Sequence, residues 1–131
     1  MQTTREMTAG NTAQTIRLLQ VGTALSVLVL LWQFVSAGQM MSGAEAGGGH
    51  AAGAIALHVV TGLTLLAAVL HARRSGARWP VGVAAVVLVL TFVQAGLGSA
   101  GTVTVHVPLA LVIAAGVAWL TAWAFRAAPA G

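Results

Sequence analysis

Residues 81–98 read VGVAAVVLVLTFVQAGLG, eighteen consecutive positions without a charged side chain. At about 1.5 Å of rise per residue, a helix of that length nearly crosses the roughly 30 Å hydrocarbon core of a bilayer. Its end carries Phe92-Val93-Gln94-Ala95-Gly96, and an earlier run closes on Phe34-Val35-Ser36-Ala37-Gly38, the same residue at four of five places. Working outward, three further apolar runs of spanning length occupy about 18–38, 54–72 and 105–125. Irregular backbone cannot face lipid, so each run is expected to be a transmembrane helix.

Composition agrees with this reading. Of 131 residues, 58% are hydrophobic and 6% charged, against about 25% charged in soluble domains, and mean hydropathy is +0.91. Eight charged side chains cannot clothe a water-soluble globule of this size. The absence of cysteine removes disulfide scaffolds, thiolate metal centres, iron–sulfur clusters and cysteine nucleophiles. Any metal site must draw on His, Met, Glu or backbone oxygen. The net charge of +4 is no nucleic-acid signal, because the arginines form no patch with interleaved aromatics. Arg5 and Arg17 precede the first run, Arg73, Arg74 and Arg78 lie between the second and third, and Arg126 follows the fourth. That distribution puts both termini and the 73–78 turn on the cytoplasmic side, with Trp32, Trp79, Trp119 and Trp123 as interfacial anchors. The polar segment 1–15 lacks apolar periodicity and is expected to be mobile, residues 16–126 form one domain, and 127–131 are a tail. Val35-Ser36-Ala37 has the small residues of a signal-cleavage site, but the run before it exceeds the usual h-region of roughly 7 to 15 residues, so it is read as a retained helix.

The two pentads mark a duplication. Downstream of each, a helix opens on a histidine between aliphatics: Leu57-His58-Val59-Val60 and Val105-His106-Val107-Pro108. Each copy holds two helices, so both copies enter the membrane from the same side as parallel repeats, related by an axis along the membrane normal. Such an axis keeps depth, and His58 and His106 are expected to face one another across the bundle near the outer leaflet. An ionisable side chain within a membrane points to function, and facing imidazoles on a four-helix bundle suit bis-histidine ligation of one b-type haem. Gly62 and Ala110 fall one turn inward of the two histidines on the same faces, leaving room for a flat macrocycle. Gly38 and Gly96, with Gly98, offer close backbone approach in the same layer or, equally, close helix packing.

This order of helix, outer loop, helix opening on His, basic inner turn, and the same again without a second basic turn resembles one four-helix half of the haem A synthase family, over about residues 18–125. It is also the layout of small four-helix bacterial membrane proteins. The resemblance implies that His58 and His106 ligate a haem on the outer side of a bacterial plasma membrane. The enzyme family has a carboxylate three residues before its helix-2 histidine, where this chain has Ile55, and often a cysteine pair in the first outer loop, where this chain has none. Glu45 is the only acid near that surface. Haem binding with electron transfer or haem handling is therefore the expected inheritance, rather than haem oxidation.

The remaining candidates divide as follows. Stacked haems use two histidines of one helix about fourteen positions apart; His58 and His71 are thirteen apart, about 220° around, so His71 is read as an interfacial residue and one haem per chain is expected. His50 follows three glycines and is read as a loop residue that could reach a metal above the bundle. Met40, Met41, His50, His58 and His106 share the outer end, and thioether with imidazole suits copper, which is the second reading. A third is a cofactor-free scaffold or accessory subunit whose histidines hydrogen-bond backbone or headgroups. Expected partners are the bilayer, haem, a quinol or outer-face redox protein, and other subunits in a homo- or hetero-oligomer. Gln33, Gln39 and Gln94 are the few uncharged polar groups near the outer layer, with interhelical hydrogen bonds as their simplest role.

Overall fold

The computed structural model describes the backbone of residues 2–44 and 48–127, with side chains from residue 10 onward; Glu45 lies outside the described residues. Four helices make up almost all of it: α1 (Gln2–Met41), α2 (Gly49–Ser75), α3 (Trp79–Ser99) and α4 (Val103–Arg126). Each is long and apolar enough to span a membrane. The protein is thus all-α, with the composition and helix lengths of a multi-pass membrane protein.

The helix ends follow local chemistry. α2 stops at Gly76, whose φ of 80° suits glycine and whose N–H bonds the Ala72 carbonyl at 2.9 Å. Pro80 then opens α3, where a missing N–H costs nothing. At the other end Gly101, φ 71°, turns α3 into α4. α1 is longer than its apolar run: the polar stretch before it continues the helix back to Gln2. Its junction with the rest is anchored, because Ile16 is buried and the Thr15 hydroxyl lies 3.2 Å from His71 Nδ1. A helix already held by packing extends at little cost.

Short links make successive helices antiparallel neighbours, and α1 also packs on α4, closing a ring. α1 and α3, and likewise α2 and α4, sit across the diagonals. The start of α1 and the end of α4 therefore lie at one end of the bundle, the terminal end, with the exposed Arg17, Arg73, Arg74, Arg78 and Arg126. The ends of α1 and α3 at Met41 and Ser99 and the starts of α2 and α4 at Gly49 and Val103 lie at the other end, the loop end.

The interior has three layers. Ile16, Leu19, Ala67, Ala68, Ala84, Leu120 and Ala124 pack at the terminal end, and Leu30, Leu57, Val87, Ile113 and Val117 toward the loop end. Between them Thr23, Ser26, Thr61 and Thr64 are buried around a cavity of about 10 Å³, room for about one water. These hydroxyls donate to carbonyls of their own helices, as Thr64 does to Val60 at 2.8 Å, which conceals their polarity. Ser26 and Thr64 also meet across α1 and α2 at 3.3 Å, where the missing Cβ of Gly22 lets the two backbones close. Because interhelical hydrogen bonds in membranes contribute only about 0.6 kcal/mol on average, Thr64→Val is expected to lower stability by less than about 1.5 kcal/mol, measured as detergent unfolding. A larger loss would mean the hydroxyl layer anchors the bundle. The outward faces carry Leu, Val, Trp and Phe, including Leu28, Leu63, Val89, Leu111 and Trp119, a surface matched to acyl chains.

Candidate functional site at the loop end

Three of the four histidines gather at the loop end. His106 sits in the first turn of α4 and is clamped to α3 twice: its Nδ1 lies 3.1 Å from the Gln94 carbonyl, and the Gln94 amide donates to the His106 carbonyl at 2.8 Å. Taking the carbonyl as acceptor makes Nδ1 the protonated nitrogen and leaves Nε2 as the lone-pair bearer. The ring rests against Gly98, where a Cβ would come within 2.9 Å of His106 Cε1. Glycine is required there by close approach. Gly98→Ala is therefore expected to push the ring aside and destabilise the bundle by about 1–2 kcal/mol, whereas Gly96→Ala, whose Cβ would meet nothing within 4 Å, is expected to be close to neutral. Equal unfolding midpoints for the two variants would contradict this seat.

His50 lies in the first turn of α2 and is tied to α1 in the same way. Its Nδ1 is 2.9 Å from the Ser36 hydroxyl, and the Gln33 amide donates to its carbonyl at 3.0 Å. The Trp32 indole N–H adds a bond to the Gly49 carbonyl at 3.0 Å, and the glycine at 53 lets α2 press onto both Trp32 and Gln33. The third residue of each pentad, Ser36 or Gln94, thus contacts the histidine in the first turn of the following helix. The contacts that match between the hairpins put His50 in the place of His106, with Ser36–His50 fourteen residues apart and Gln94–His106 twelve. The like motifs Leu57-His58-Val59 and Val105-His106-Val107 instead pair His58 with His106 in the sequence.

His58 is two turns deeper on α2. Its ring lies on Phe92 of α3, with centroids 4.2 Å apart and planes at 34°. Its Nε2 is buried and has no hydrogen-bond partner among the described residues; the Gln94 side-chain oxygen is the other such atom. His58 and His106 share no ring contact; the ring nearest His106 is His50, at 6.4 Å between centroids and 54° between planes. Along α3, however, the contact of His58 with Phe92 and that of His106 with Gln94 are only two residues apart, about 3 Å of helix rise. The His106 ring also rests on Gly98, six residues past Phe92, and neighbours His50, so it sits nearer the rim than the His58 ring, on the diagonal helix.

The glycines proposed around them differ. A Cβ at Gly62 would meet nothing within 4 Å, and Ala110 is half-buried, so the turn inward of each histidine is small-sided. Gly38 and Gly96 are exposed and equally free of neighbours, while Gly98 is the one pressed against an imidazole. His71 is at the opposite, terminal end, buried beside Thr15 and edge-on to Trp123 at 5.9 Å. Sequence reasoning gave Ser36, Gly53 and Phe92 no part in the site, and it read His50 as a loop residue within reach of a metal above the bundle. The usable signal was the lone polar residue in each pentad, followed at a similar interval by a histidine. No group of three or more His, Cys, Asp or Glu side chains able to hold a metal ion occurs among the described residues. No family model, curated protein or solved structure matches this chain.

Proposed function

We propose that the protein binds one haem b in the loop-end half of the bundle, with His58 and His106 as axial ligands, and serves electron transfer or haem handling at the outer face of a bacterial plasma membrane. The observation that carries this reading is the buried, unpartnered Nε2 of His58. A buried acceptor without a partner costs about 1–3 kcal/mol. Ligation of a haem iron by His58 would remove that cost, and a ligand role would explain why an imidazole stands there at all.

The donor set suits the group. Two imidazoles in the loop-end half of the bundle come from diagonal helices, and bundles build cofactor sites from side chains on facing helices. Gln94 fixes the His106 ring through Nδ1, the outer-shell hydrogen bond that orients a metal-binding histidine and raises its basicity. The open space at Gly62 and the small Ala110 spare the macrocycle steric pressure. When bound, haem supplies one-electron chemistry, its potential set by axial ligands and burial. The chain's own residues hold and orient it: Phe92 packs on the His58 ring, and Leu30, Leu57 and Ile113 keep water from the inner side. The parallel duplication, the cytoplasmic placement of both termini, and a quinol or outer-face redox partner belong to the same reading, supported by the five exposed arginines at the terminal end.

The test is the absorption spectrum of the full chain purified in detergent, before and after haem addition. Bis-histidine haem gives a low-spin spectrum with split visible bands on reduction. A protein that stays colourless with haem in excess would refute the proposal. Gly62→Leu adds a check on the room beside the iron: the unliganded fold is expected to be as stable as wild type, with haem affinity reduced about tenfold or more.

A further inference from the structure

We infer that the rim of the loop end carries a second metal site, in which His50 and His106 hold a monovalent copper ion between their Nε2 atoms. The inference does not depend on haem binding. It starts from the equivalence of the two rings: Nδ1 of His50 is engaged by Ser36 and Nδ1 of His106 by the Gln94 carbonyl. Each therefore has its second nitrogen uncommitted, with no hydrogen bond to a described residue. Hydrogen-bonding one imidazole nitrogen while presenting the other is how proteins prepare histidine for a metal.

The spacing narrows the ion. A metal about 2 Å from one nitrogen of each ring separates the ring centroids by at most about 6.5 Å, and by less when the nitrogen–metal–nitrogen angle is bent. The observed 6.4 Å lies at the straight limit. Zinc requires about four ligands in a tetrahedron, which would bend that angle, and no group of three ligating side chains exists among the described residues. Monovalent copper is a closed-shell soft ion that accepts imidazole and thioether and is content with two donors. Its single charge also suits a site whose described neighbours include no carboxylate, since a divalent ion there would go uncompensated. Met40 and Met41, exposed at the end of α1 on the same rim, add soft thioethers past which an incoming copper ion would travel. Because His106 would serve both groups, haem at His58 and His106 would exclude copper; that consequence alone rests on the haem reading.

The experiment titrates monovalent copper, buffered by a chromogenic chelator under reducing conditions, into the haem-free full chain in detergent. One equivalent is expected to bind, with affinity at least a hundredfold lower in His50→Ala and in His106→Ala and unchanged in His58→Ala and His71→Ala. X-ray absorption is expected to report two nitrogen donors at low coordination number. His50→Gln, which keeps a polar group beside Ser36, is expected to retain wild-type helicity and unfolding midpoint while losing copper, separating ligation from folding. Wild-type affinity in His50→Ala, no stoichiometric copper in the wild type, or equal loss in His58→Ala would each overturn the site. Copper binding in a chain that never takes up haem would leave this site standing and remove the haem proposal.

Discussion

His106→Ala and His58→Ala are each expected to lower haem affinity on the order of a hundredfold or more, yet to leave the bundle folded. Losing one axial imidazole converts any residual haem to a high-spin form, so the loss is read both in titration and in the visible bands. The separation from stability follows from the structure. At His58, alanine deletes a buried nitrogen with no partner, whose removal relieves about 1–3 kcal/mol and offsets the lost ring contact with Phe92. The unliganded His58→Ala protein is therefore expected to unfold within about 1 kcal/mol of wild type. His106→Ala also forfeits the Nδ1 bond to the Gln94 carbonyl, but the Gln94 amide keeps its bond to the main chain at position 106. His71→Ala, at the far end beside Trp123, is expected to leave the spectrum unchanged. Low-spin haem persisting in His58→Ala would move the axial role to another histidine.

The largest loss of stability is expected from Gly53→Leu, about 3 kcal/mol in detergent unfolding. A Cβ at this position would overlap the Gln33 amide nitrogen and come within 2.7 Å of the Trp32 ring. Gln33 can swing away only by giving up its bond to the His50 carbonyl, and Trp32 only by giving up its bond to the Gly49 carbonyl. The substitution thus strains the α1–α2 contact and unties the start of α2 together. The contrast is Gly62→Ala on the same helix, where a Cβ meets nothing and no loss is expected. If Gly53→Leu unfolded like wild type, α2 would have to enter the membrane without leaning on α1. Because His50 is carried on the same turn, Gly53→Leu is also expected to weaken copper binding.

Much of the architecture was legible along the chain. Uninterrupted apolar runs of spanning length have one economical conformation in lipid, and the structure places its four helices over them. Their ends followed Gly76, Pro80 and Gly101, whose backbone preferences act locally. The extension of α1 to Gln2 was not legible, because it is supported by Ile16 and Thr15 meeting other helices rather than by any pattern in residues 2–15. The gathering of the histidines was legible only in part. That they share one end follows from counting spans. Which ring meets which depends on helix rotation and tilt.

His50 illustrates the difference. In the chain it follows three glycines and looks like loop; in the fold Ser36, Gln33 and Trp32 draw it into the first turn of α2 and toward His106. Aliphatics flank both His58 and His106, but flanking residues report which neighbours face lipid and carry no information about azimuth, so the closeness of the His50 ring to His106 could not be read from them. Hydropathy and charge are one-dimensional quantities summed along a segment, so they determine how many times the chain crosses and where its arginines lie. The partner of each imidazole depends on contacts between segments distant in sequence, and those are set by how small residues such as Gly53 and Gly98 let particular backbones approach.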